Sequence, residues 1–187
     1  MPPTISLKSH KKPFPRDEES SAFRRPVPDD EWAAVVRLVS GRLRTLDLDH
    51  LRQVARRVEA GIRWLDPVMD RYCGLTCPTC EDPCCTGQKV FFNRADVITL
   101  AVLYDSLPPG QTRDEEAGAC RYLGPRGCLL PRVRRPYVCV WFLCDPQMSL
   151  LQNELASFQR AFIRILQDIR QGRLILESLY EEHYGDE

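Results

Sequence analysis

Three stretches of the chain carry apolar residues at helical spacing, and between the second and third lies a segment broken up by prolines, glycines and cysteines. Trp32, Val35, Val36, Leu38 and Val39 give one apolar face to a helix that Asp29 or Asp30 can cap and that runs to about Leu43. Leu51, Val54, Ala55, Val58, Ile62 and Leu65 predict a second helix, opened by Asp47 or Asp49 and expected to break near Pro67. Leu151, Leu155, Phe158, Phe162, Ile165, Leu166 and Ile169 predict a third within residues 150–180, interrupted near Gly172 and resumed by Leu174, Ile175, Leu176 and Leu179.

The middle reads less regularly. Lys89, Val90, Phe91 and Phe92 predict a short strand, and Asn93 caps a helix through Ala95, Val97, Ile98, Leu100, Ala101, Leu103 and Tyr104. Residues 111–118 are polar and expected on the surface. Gly124 and Gly127 mark a hairpin turn that sets Cys120 opposite Cys128 near its base. Residues 138–144 form a short apolar run that fits buried strand and helix turn equally. Tyr104, Trp141 and Phe142 are expected in the core, and Asp96 as a charge at a helix start.

Residues 1–28 combine six prolines with charges and few aliphatics, a composition that cannot bury enough surface to offset chain entropy, and are expected to be a disordered leader. The rest, 29–187, is expected to be one domain. Its motif core is 73–145, flanked by helical segments 29–72 and 147–182. The fold class is mainly α with a small irregular or β cysteine-rich centre, helices packing around a metal-binding cysteine cluster.

A formal net charge of zero gives no bulk attraction to nucleic acid, so none is expected as a partner. The first twenty residues lack the apolar run of a secretory signal, and no later segment is long and apolar enough to span a bilayer. The cytoplasm is the expected address, with no membrane partner. All nine cysteines lie between Cys73 and Cys144, and in a reducing compartment such a density points to a metal ion rather than to disulfides, for which an odd count also leaves one over.

Cys77-Pro-Thr-Cys80 has the knuckle spacing at which two sulfurs converge on one ion. Cys84 and Cys85 are adjacent, and in extended backbone they point to opposite sides, serving two centres or two corners of one cluster. The metal-ligand candidates are Cys77, Cys80, Cys84, Cys85, Cys120, Cys128, Cys139 and Cys144, with Cys73 in reserve. Eight thiols suit two four-thiolate zinc sites, or one iron–sulfur cluster with four to spare. His10, His50 and His183 all lie away from the cysteines, so mixed fingers are not expected. All-thiolate ligation leaves zinc, iron–sulfur or copper(I). Two such zinc sites carry a formal charge of about −4, and Arg121, Arg126, Arg132, Arg134 and Arg135 stand where compensation is needed; a solvated loop accounts for them equally.

These residues resemble the YkgJ-type cysteine-cluster family, described as a zinc- or iron-chelating CxxCxxCC domain. Its opening cysteines look like Cys77, Cys80, Cys84 and Cys85, and its strand and Asp-bearing helix like residues 90–98 with Asp96. Its later elements resemble Cys120 to Leu123, Cys128, and Arg135-Pro136-Tyr-Val-Cys139. Three residues, Glu81, Asp82 and Pro83, separate Cys80 from Cys84 where the family usually has two. The resemblance implies a metal-chelating module of unassigned cellular role, with flagellin lysine N-methylase among similar proteins, and it carries over no catalytic residue. Cys73, Cys77 and Cys80 also have the spacing of radical S-adenosylmethionine enzymes, but too little chain follows to build their barrel. Two other readings stand beside metal binding. One is an enzyme with an iron–sulfur centre, acting in protein lysine N-methylation or redox chemistry. The other is a metal-stabilised module whose C-terminal helix docks a protein partner.

Overall fold

The computed structural model describes residues 21–86, 90–104, 106–115, 118–125 and 127–184. The molecule is mainly helical. Helix α1 is Asp29–Leu43, α2 Leu48–Thr76, α3 Arg94–Leu103, α4 Val138–Trp141, α5 Asp145–Gln152 and α6 Ala156–Tyr184. A two-stranded hairpin joins β1 (Leu123–Gly124) to β2 (Gly127–Cys128). Among the described residues, no helix is long and apolar enough to cross a membrane.

Helices α1, α2 and α3 start where polar side chains or acidic first turns favour them. Asp47 caps α2, accepting from the N–H groups of Asp49 and His50. In α1 the cap position belongs to Pro28, and Asp29, Asp30 and Glu31 fill the first turn, where they complement the helix dipole. Asn93 and Asp96 cap α3 reciprocally: Asp96 N–H donates to Asn93 Oδ1 at 3.0 Å and Asn93 N–H to Asp96 Oδ2 at 2.9 Å.

Two expected breaks are absent. Helix α2 runs through Pro67 as far as Thr76. The turn weakened by the missing proline donor is bridged from outside, because Arg132 binds both Asp66 at 2.8 Å and Asp70 at 2.6 Å. Helix α6 runs unbroken past Gly172. There and at Gly61 the two long antiparallel helices approach closely: a Cβ on Gly172 would lie 2.7 Å from Val58 Cγ2, and one on Gly61 2.7 Å from Ile169 Cγ1. Gly172 marks a crossing point rather than an interruption.

Two apolar clusters flank that crossing. One gathers Trp32, Val39, Leu51, Phe92, Ile98 and Tyr180, with Cys120 and Cys128 against its edge. The other gathers Ile62, Leu65, Met69, Val140, Phe162 and Ile169. Ala22, Phe23 and Val27 are buried in the first, so packed chain begins before Asp29; residues 1–20 of the expected leader lie outside the described residues.

Between the helices the backbone is irregular, and buried polar side chains take the place of a sheet. Residues 90–93 form no strand, and Lys89 lies outside the described residues. Gln111 supplies the pairing: its Oε1 accepts from Phe92 N–H at 2.7 Å, and its Nε2 donates to the carbonyls of Phe92 at 3.0 Å and Ala22 at 3.2 Å. Gln111, Thr112 and Arg113 are therefore fully buried, which corrects the exposed reading for these three, while Asp114 and Glu115 are exposed as expected. In the hairpin Cys128 pairs with Leu123, so Cys120 sits one turn before the ladder rather than opposite Cys128.

A buried ion pair ties α6 to α3. Arg173 on α6 meets Asp96 at 2.7 Å with both side chains under a tenth exposed, donates to Asn93 Oδ1 at 2.8 Å, and stacks over the Tyr137 ring at 4.4 Å. Asp96 Oδ1 also accepts from Tyr137 N–H at 3.0 Å. Arg173→Met is expected to cost about 3–5 kcal/mol, because Asp96 stays buried without its counter-charge. Gly61→Val is expected to cost about 1–3 kcal/mol by overpacking the α2–α6 crossing. Urea denaturation followed by circular dichroism reads both, and wild-type midpoints in the variants would contradict these roles.

Candidate metal centre

The nine cysteines are all free and come from four separate parts of the fold. Cys73 lies in the last turn of α2, and Cys77 ends that helix and opens a 3-10 turn, Cys77–Thr79. Cys80 N–H closes the turn on Cys77 O at 3.2 Å. Cys84 and Cys85 share a second such turn, Cys84–Thr86, so they are not the opposed pair expected of extended backbone. Cys120 is tied to Cys85 directly, its N–H donating to Cys85 O at 3.0 Å. Cys128 is in β2, Cys139 in α4, and Cys144 immediately precedes α5. The ambiguous run 138–144 is thus one helical turn followed by extended chain.

The electrostatics show which thiols neighbour one another. A hydrogen bond from Cys84 to Cys85, aided by burial, pushes the Cys84 thiol well above its ordinary value. The same bond holds Cys85 below its own value, although burial and the thiols of Cys139, Cys120 and Cys128 oppose this. Burial first, then Cys128, Cys84 and Cys120, push Cys139 up to about 12. Burial raises Cys120 as well, with the Arg113 charge pulling it back. Cys85, Cys120, Cys128 and Cys139 therefore form one neighbourhood with Cys84 at its edge. Cys77 belongs to another: burial and then Cys73 push it up to about 11. Cys77, Cys80 and Cys84 are exposed and the remaining six half-buried. Among the described residues, no three His, Cys, Asp or Glu side chains are set to hold a metal ion together as they stand.

The arginines behave differently from expectation. Arg132 is spent on Asp66, Asp70 and the Cys139 carbonyl at 3.3 Å, Arg121 on Asp29 and Asp114, and Arg135 on the Leu130 carbonyl. Arg134 covers the Tyr104 ring at 4.7 Å and binds Ser106. Arg126 lies outside the described residues. Among the arginines near the thiols, Arg113 is 1% exposed, donates to the Cys85 carbonyl at 3.0 Å and leaves its Nε without a partner among the described residues. Among the described residues it has no carboxylate within ion-pair distance. Nothing in the local sequence distinguishes Arg113 from a surface arginine, because its burial follows from the Gln111 pairing. Tyr104 is half-buried, with its hydroxyl on Glu59 at 2.8 Å. Trp141 and Phe142 are 44% and 41% exposed rather than in the core.

No family model matches the chain, and neither a curated protein nor a solved structure does.

A thiol raised in this way stays protonated, and hence a poor nucleophile, until pH approaches its shifted value. In metal-free protein, Cys85 is accordingly expected to alkylate at lower pH than Cys139, which holds its proton until about 12. Timed iodoacetamide labelling with peptide mass spectrometry checks the order, and equal labelling of the two would contradict it.

Proposed function

We propose that the protein binds metal through its cysteines, as zinc or an iron–sulfur cluster, with Cys85, Cys120, Cys128 and Cys139 as the inner ligands. The observation that carries this reading is Arg113. A buried guanidinium with no carboxylate partner among the described residues is costly, and this one donates to the Cys85 carbonyl and pulls back the Cys120 thiol that burial raises. A four-thiolate centre with a divalent ion carries about two negative charges and supplies the missing counter-charge. Thiols kept only as small apolar residues would leave that cation uncompensated.

The motif likeness to the YkgJ-type chelating proteins supports the same reading, with Cys77, Cys80 and Cys84 as further ligands. The chemistry is chelation: each ligating thiol gives up its proton, so loading weakens as pH falls. The described residues of 90–93, 106–115 and 118–137 hold only the short hairpin and one 3-10 turn. Metal bound across them acts as their shared core.

Anaerobic purification followed by an ultraviolet–visible spectrum and iron and zinc analysis tests the proposal. A brown protein with iron and acid-labile sulfide supports a cluster, and a colourless one with zinc supports four-thiolate sites. Metal-free protein that folds with full stability would overturn it. Cys80→Ser combined with Cys139→Ser is expected to lose metal and unfold at lower temperature. Arg113→Gln is expected to weaken metal retention by about 10- to 100-fold, read by competition with a chelator.

A further inference from the structure

Cys73 stands outside the eight candidate thiols named from the sequence, yet its sulfur has a buried polar partner. Cys73 and Cys77 are one turn apart at the end of α2 and so share a face. Gln147, only 5% exposed, brings its amide nitrogen within 3.6 Å of Cys73 Sγ, 4.0 Å of Cys77 Sγ and 3.2 Å of Thr76 Oγ1. Helix α5 thus reaches these sulfurs through Gln147, while Cys144 at its start accepts from Met148 N–H through its carbonyl at 2.8 Å. The turn that Cys80 closes on Cys77 adds a third sulfur at knuckle spacing. The Cys84 thiol is an electrostatic neighbour of Cys77, and Arg132 is one of Cys73.

We propose that Cys73, Cys77, Cys80 and Cys84 form a second four-thiolate site for one zinc-like divalent cation, with Gln147 as its amide donor and Cys144 outside it. The inference rests on the reading that the cysteines bind metal, and it divides them between two centres at the Cys84–Cys85 bond. Zinc imposes no geometry of its own and accepts tetrahedral sulfur ligation. On binding, the ligating thiols pass their protons to solvent, and Gln147 N–H groups then donate to thiolate sulfurs, orienting them and spreading their charge. No histidine or carboxylate is needed.

The full chain, loaded with zinc under anaerobic reducing conditions and then desalted, is assayed for zinc per chain. Cobalt(II) substitution reports tetrahedral thiolate ligation. About two ions are expected in the wild type and in Cys144→Ser, and about one in Cys73→Ser. Gln147→Leu is expected to keep both but to hold one about 10- to 100-fold less tightly against a chelator. If Cys73→Ser retains two ions, or Cys144→Ser drops to one, the second site as drawn is overturned and metal binding stands. If the wild type takes up neither zinc nor cobalt, the function itself falls, and the second site with it. Should Cys73→Ser fail to fold by circular dichroism, Gln147→Leu decides, and unchanged competition overturns the site.

Discussion

The buried ion pair between Asp96 and Arg173 is the contact on which the rest of the structure depends. It joins the first turn of α3 to the middle of α6, and through the Tyr137 backbone and ring it also holds the segment leading to Cys139. Each charge is desolvated, so the pair is tolerable only because every bonding direction is used: Asp96 also completes the α3 capping box, and Arg173 also reaches Asn93. Such an arrangement has few near-equivalents. An apolar contact tolerates sliding, whereas a hydrogen-bonded ion pair inside the fold selects one register of α3 against α6.

The same logic recurs wherever the chain lacks regular structure. Arg132 straddles Pro67 by binding Asp66 and Asp70, and its remaining donor takes the Cys139 carbonyl. Gln111 replaces a missing strand by pairing with both polar groups of Phe92. These side chains do for the irregular centre what backbone ladders do in a sheet, because buried N–H and C=O groups must find partners. The helices supply the apolar burial, and a few polar residues fix where the thiol-bearing segments lie.

That division of labour bears on the proposed chemistry. The sulfurs of Cys85, Cys120, Cys128 and Cys139 come from segments with no common secondary structure, yet each segment is pinned by a backbone or arginine contact. Holding thiols as neighbours while leaving them reduced stores mutual repulsion that appears only on deprotonation. In the proposed centre a bound divalent cation would offset that repulsion, and the net negative charge left on the thiolates would face Arg113, which has no carboxylate partner among the described residues. Metal binding and the completion of the fold are thus two aspects of one electrostatic balance.

Apolar periodicity was enough to reveal the helices around Trp32, Leu51, Ile98 and Ile169, the asparagine cap at Asn93 and the turn between Gly124 and Gly127, since these depend on short-range spacing and local hydrogen bonding. The clustering of cysteines along the chain likewise marked the segment, Cys73 to Cys144, from which the candidate site is drawn. What local patterns could not carry was anything settled by a distant partner. Pro67 and Gly172 read as breaks because their local cost is real; Arg132 and Val58 make them tolerable from elsewhere in the fold. Gln111 and Arg113 looked like surface residues because polarity alone does not show a buried hydrogen-bond partner. The sequence by itself determined the helical class and where along the chain the thiols lie, both written in residue type and spacing. Only the tertiary structure decided which thiols are neighbours and which arginine faces them, because those relations exist only between segments brought together by folding.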